Sequence, residues 1–167
     1  MSIDSIAAAI HATTLSAMVR GDTPGTEWLF PILETFHVLS LGIVFGSIAM
    51  VDLRLLGLTS RDVAFTRLYR EIIPWTWWAF IFAVLFGSLL ATAKIQDYVK
   101  NPQFIAKYVF MALAGINMLI FHFRTFRSVA LWDTRMPVPA AAKVAGALSL
   151  TFWTGVVVCG RWIGFTT

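Results

Sequence analysis

The chain has 167 residues, of which 58% are hydrophobic and only 13% are charged, and its formal net charge is +4. A soluble domain carries about 25% charged residues, so this composition excludes an ordinary soluble globule and is typical of a helical membrane protein. The single Cys159 excludes an intramolecular disulfide, and the absence of a basic run argues against a nucleic-acid partner.

The N-terminal segment predicts a short surface helix rather than a signal peptide. Asp4 precedes the apolar residues 6–10, and no basic region stands before them. Apolar residues recur at helical spacing as far as Met18. We therefore expect residues 1–24 to form an interfacial helix with a linker, followed by a membrane domain over residues 25–167.

Four apolar segments reach the length of about 20 residues that a bilayer-spanning helix needs. The sequence predicts spans over residues 28–51, 72–95, 104–123 and 140–163. The expected fold class is all-α: an integral membrane four-helix bundle with up-down connectivity, preceded by the short N-terminal interfacial helix.

Positive charges indicate the orientation of these spans. The loops after the first and third spans hold most of the Lys and Arg residues of the chain. Because cytoplasmic loops are enriched in Lys and Arg, both termini are expected on the outer side. In a bacterium this describes a multi-pass protein of the inner, cytoplasmic membrane with periplasmic termini.

Five ionisable side chains in or at the edges of the predicted spans are candidate site residues, because a charge within a bilayer costs several kcal/mol. At about 1.5 Å per residue, His37, Lys107 and Arg161 lie at similar depths near the outer ends of their helices, with Glu34 as a counter-charge. His122 lies near the inner side, about 12 Å from the level of His37. The two histidines are therefore not expected to ligate one haem together.

The chemistry of this outer cluster has two interpretations. A neutral imidazole at His37 can ligate haem iron or a metal such as copper, and it can carry protons. Alternatively, Glu34, Lys107 and Arg161 form a charge network that fixes helix packing, with His37 hydrogen-bonded inside it. No phosphate-binding loop, zinc-spaced Cys and His cluster or Ser/His/Asp arrangement is present, so hydrolases and nucleotide-driven proteins find no support.

Several short motifs carry a resemblance that runs from about Trp28 to Phe165. The chain resembles a family of uncharacterised bacterial four-helix integral membrane proteins, a domain of unknown function. The matching residues are Glu34-x-x-His37, Asp52-Leu53-Arg54-Leu55-Leu56-Gly57, Asn101-Pro102-x-Phe104-x-x-Lys107, Asn117 and Gly160-Arg161.

More distantly, the layout is similar to that of the haem-b protoporphyrinogen oxidases and the copper-resistance D membrane proteins. In the oxidase family a first-helix histidine, followed by Arg-Leu at the inner end, is paired with a lysine near the start of the third helix. Here His37, Arg54-Leu55 and Lys107 fall at comparable places. The resemblance implies haem b bound by His37 and Lys107, whereas His122 lies about a turn further from Lys107 than the family pattern places its histidine.

The leading function expected from the sequence is an inner-membrane protein that binds b-type haem and takes part in electron transfer or a membrane redox reaction. Glu34 and Arg161 then steady the ligand or pair with a haem propionate. Two alternatives stay open: a non-catalytic anchor or assembly subunit of a larger complex, and a metal or small-solute permease. The expected partners are the lipid bilayer and other membrane proteins or further copies of the chain, and whether the chain is an enzyme stays open.

Overall fold

The computed structural model describes residues 2–60, 62–134 and 138–166, and these residues form helices without any strand. Four helical stretches are long and apolar enough to cross a membrane, which confirms the expected all-α four-helix bundle. The α-helices of the described residues are α1 (Ile3–His11), α2 (Thr14–Arg20), α3 (Leu29–Leu56), α4 (Phe65–Ala93), α5 (Ile95–Tyr98), α6 (Pro102–Ile120) and α7 (Ala140–Thr166).

The long helices extend beyond the spans that hydropathy predicts. After α6, a π-helical turn over Phe121–Thr125 and a 3₁₀ helix over Phe126–Leu131 continue the third membrane helix. The inner ends of α3 and α4 also run past residues 51 and 72, the expected limits. Polar residues there stay helical beyond the apolar layer, so hydropathy locates the membrane-spanning part of each helix and not its end.

Local sequence sets several of the helix ends. The Asn101 side chain accepts hydrogen bonds from the backbone N–H groups of Gln103 at 2.8 Å and Phe104 at 3.3 Å. Pro102 occupies the first turn of α6, where its missing N–H is not needed. At its C-terminal end, α3 is capped by Gly57, whose φ of 75° lies in the left-handed region that favours glycine.

The helices pack in a definite order. Helix α3 lies along both α4 and α7, and α6 lies along α7. Helices α4 and α6, which α5 connects, share no comparable interface within the described residues. The bundle therefore has three well-packed helix pairs and a looser fourth side between α4 and α6.

Two apolar clusters hold the ends of the bundle. We call the end that carries α1, α2 and α5 the outer end, and the opposite end, with residues 57–60, 62–64, 132–134 and 138–139, the inner end. A small outer cluster brings α2 against α3 and α4 through Val19, Leu33 and Ala93. The larger inner cluster contains Val51, Leu55, Phe65, Phe121, Trp132, Val138 and Ala142.

Polar contacts at the inner end join its two connecting segments. Arg54 is fully buried, and its guanidinium donates to the carbonyl oxygens of Val63, at 3.2 and 3.1 Å, and Asp133, at 3.1 Å. The Asp133 carboxylate accepts from the Thr66 backbone N–H at 2.8 Å and the Thr66 hydroxyl at 2.7 Å, so it caps the start of α4. We call these four residues the inner latch.

The N-terminal segment contains two short helices where the sequence predicts one. Helix α2 docks on the outer end of the bundle: the Ser16 hydroxyl donates to the Thr92 carbonyl oxygen at 2.8 Å, and Val19 is fully buried. An ion pair of 3.1 Å between Asp4 and Lys100 holds α1 to the segment after α5. Both helices therefore cover the outer ends of the membrane helices.

Candidate functional site

His37 lies in the outer half of α3, about two turns from the first residue of the helix, and is half-buried. Its Nδ1 atom is 2.8 Å from the carbonyl oxygen of Ala83 on α4. Because a carbonyl oxygen can only accept, Nδ1 carries a proton and donates it, and in the neutral ring Nε2 keeps its lone pair. The contact therefore leaves Nε2 as the nitrogen available to a ligand.

The imidazole ring packs against Gly87, one turn along α4 from Ala83. A Cβ atom at Gly87 would lie 2.7 Å from Cε1 and 3.0 Å from Nδ1 of His37, closer than real side chains approach. The absence of a side chain at Gly87 is thus what allows the ring to reach the Ala83 carbonyl oxygen. Close helix approach at small residues is a common feature of membrane bundles.

Lys107 enters the same region from α6, less than two turns from the start of that helix. Its side chain passes over Gly160 of α7, where its Nζ atom is 3.7 Å from the position that a Cβ would take. The charge of Lys107 also interacts with the His37 imidazole. His37 and Lys107 therefore lie within electrostatic range of each other, on two helices that do not pack along each other.

Aromatic side chains occupy the bundle below this pair. Phe80 of α4 and Trp153 of α7 meet edge to face, with ring centroids 6.2 Å apart. Trp77 packs on Phe80 in the same manner at 6.1 Å. Phe80 lies about two turns of α4 deeper than Gly87, so His37 and Lys107 occupy the space between an aromatic layer and the outer end.

Glu34 and Arg161 take separate positions at the outer end. Glu34 is exposed on α3. The pKa of Tyr98 on α5 is raised mainly by the burial of Tyr98 itself and further by the negative charge of Glu34. Arg161 is exposed on α7, with its guanidinium 5.2 Å from the centroid of the Phe165 ring. No ion pair joins Glu34, Lys107 and Arg161, so the alternative of a charge network has no support in the geometry, and the roles of Glu34 and Arg161 toward a cofactor stay predictions.

His122 lies in the π-helical turn near the inner end, at the depth that the sequence predicts. It is exposed, and its ring stacks on Phe126 with centroids 5.1 Å apart. The structure therefore does not bring His122 to His37, and a role for it in binding a cofactor stays a prediction.

The described residues contain no group of three or more His, Cys, Asp or Glu side chains that could hold a metal ion. Within the described residues, a bare metal ion at His37 would therefore not find three ligands of these types. Haem differs in this respect, because the porphyrin supplies the equatorial nitrogens and the protein needs to supply only axial groups.

Two partners of His37 are not evident from the sequence. Ala83 acts through its backbone carbonyl oxygen, a group that every residue has, so the residue type does not indicate the contact. Gly87 carries a signal, since a glycine within the apolar run of α4 often marks a close approach of helices. That signal indicates a contact but not the residue on the other side.

Among curated proteins and solved structures, no match to the chain is found. The model of DUF6644, a family of unknown function, matches residues 21–166. This match includes all four long helices and every residue of the site described above. The chain therefore belongs to the DUF6644 family, as the resemblance to an uncharacterised membrane protein family predicts.

Proposed function

We propose that this protein is a multi-pass protein of a bacterial inner membrane that binds haem b at His37 and takes part in electron transfer. The observation that carries the proposal is the hydrogen bond from Nδ1 of His37 to the Ala83 carbonyl oxygen at 2.8 Å. Histidines that ligate metals typically donate their other ring N–H to a carbonyl or carboxylate, which fixes the tautomer and the ring orientation. His37 has this arrangement already in the protein alone.

Lys107 is the second candidate ligand. Its aliphatic chain passes over Gly160 of α7, and its charge lies within electrostatic range of His37. Arg161 and Glu34 are exposed near the outer ends of their helices, and a guanidinium there is suited to pair with a propionate group. The proposal thus assigns binding to residues of three different membrane helices.

Haem b, when bound, supplies a one-electron redox centre. The protein residues supply position and environment. The hydrogen bond to Ala83 holds the His37 imidazole in one orientation, and the absence of a side chain at Gly87 leaves room for the ring. Phe80 and Trp153 form an apolar layer toward the bundle centre, which limits water around the ligands.

An optical spectrum tests this proposal. The protein is purified in mild detergent from cells supplied with haem precursor, and spectra are recorded oxidised and after reduction with dithionite. We expect a Soret band and reduced α and β bands in the wild type. His37→Ala should lose these bands, whereas His11→Ala, which removes a histidine at the end of α1, should keep them.

Two results would contradict haem binding at His37. One is a haem-replete wild-type preparation without these bands; the other is a spectrum that His37→Ala leaves unchanged. Either result would favour the alternative of a non-catalytic membrane subunit. That alternative is supported by Gly42 and Gly46 on α3, which are exposed and have no neighbouring atom within 4 Å of the Cβ position, so that another helix could pack there.

A further inference from the structure

A second ionisable group lies inside the bundle, far from His37. Asp52 is in the inner part of α3 and only 5% exposed. It faces α7 where the helices approach closely: a Cβ at Gly146 would lie 3.0 Å from the Asp52 carbonyl oxygen. Ser149 on α7 lies close to its carboxyl group, and the carboxyl oxygen Oδ2 is buried without a hydrogen-bond partner.

No cation within the described residues forms an ion pair with this carboxyl group. On α3, the fully buried guanidinium of Arg54 donates through Nε and Nη2 to the carbonyl oxygens of the inner latch, and its Nη1 atom is buried without a hydrogen-bond partner. On α7, the nearest charged residue in sequence is Lys143, which is exposed. Within the part of the chain that the structure describes, Asp52 is therefore a buried acid between two membrane helices without an ion-pair partner.

Burial of an isolated carboxylate in an apolar environment costs many kcal/mol, whereas a neutral carboxyl group needs only hydrogen bonds. We propose that Asp52 is a proton-binding site in the inner half of the bundle, and that its carboxyl group shares the bound proton with Ser149. The site lies about one turn from the end of α3, so the proton exchanges with the inner aqueous side. This inference is independent of any haem at His37.

Infrared spectroscopy of the detergent-purified protein at neutral pH tests the proposal. The wild type should show the C=O stretching band of a protonated carboxyl group, and the band should shift to lower frequency in D₂O. Asp52→Asn should lose it. Asp62→Asn, the same change at an exposed aspartate, should keep it.

Ser149→Ala provides a second measurement that does not alter the acid. Loss of the hydroxyl group should move the carboxyl band without abolishing it, because the acid keeps its proton but loses a hydrogen-bond partner. Absence of the band in the wild type, or its persistence in Asp52→Asn, would overturn the proposal. Disappearance of the wild-type band on addition of sodium chloride would also overturn it, since the group would then be binding a metal cation.

Discussion

At the scale of single residues, His37 depends on two features of α4 rather than on other charged groups. A carbonyl oxygen has two lone pairs, so Ala83 can accept from the imidazole as well as from the helix backbone. The ring can approach only because Gly87 has no side chain. The position of the candidate ligand is therefore set by backbone atoms of the neighbouring helix.

Gly87→Ala should displace His37. The added methyl group would lie 2.7 Å from Cε1, so the ring must move and its hydrogen bond to Ala83 must lengthen or break. Overpacking of this kind costs about 1–3 kcal/mol, which thermal unfolding of the detergent-purified variant would detect. The matched control is Gly42→Ala, where no atom lies within 4 Å of the new Cβ. Equal stability of the two variants would show that the contact does not constrain His37.

At the scale of helices and loops, the start of α4 is set by a distant residue. The Asp133 carboxylate, 67 positions later in the chain, accepts hydrogen bonds from the N–H and hydroxyl groups of Thr66 and so caps α4. By contrast, the cap of α6 is local, since Asn101 and Pro102 are adjacent to the helix that they begin. The sequence places the start of the third span at residue 104, close to Pro102, and the start of the second at residue 72, well after Phe65.

Asp133→Ala should destabilise the inner end of the bundle. Loss of a capping side chain costs about 0.5–2 kcal/mol, and we expect a lower unfolding temperature together with faster proteolysis between α3 and α4. Asp133→Asn keeps an acceptor oxygen, so its unfolding temperature should fall less than that of Asp133→Ala. Asp62→Ala removes an exposed carboxylate from the same end and serves as the control. If Asp133→Ala unfolds at the same temperature as this control, the latch does not stabilise the fold.

At the scale of the whole molecule, the orientation in the membrane follows from the proposal that the arginine-rich inner end faces the cytoplasm. A cysteine at exposed Pro24, at the outer end, should react with a membrane-impermeant maleimide in intact spheroplasts. A cysteine at exposed Asp62, at the inner end, should react only after permeabilisation. The native Cys159 is buried and serves as the unlabelled background. The reverse labelling pattern would contradict the proposed orientation.

The sequence predicts the bundle well because long charge-free stretches suffice to define membrane helices. It also predicts that His37 and Lys107 lie at one depth, since depth follows from residue number at a fixed rise per residue. It cannot predict that Glu34 and Arg161 are exposed, because helical spacing groups residues on one face without saying which helix that face meets. The rotation of each helix about its axis and the helices that it contacts are set by packing. Packing in turn depends on residues such as Gly87, which has no functional side chain.

The inner latch also bears on how the chain is made. Its four residues, Arg54, Val63, Thr66 and Asp133, all precede α7 in the sequence. Chains fold from the N-terminus as they are synthesised, so the inner ends of the first three membrane helices can be fastened before the last helix leaves the ribosome. Helix α7 would then insert beside a three-helix assembly whose order is already fixed, with α3 and α6 as the surfaces that receive it.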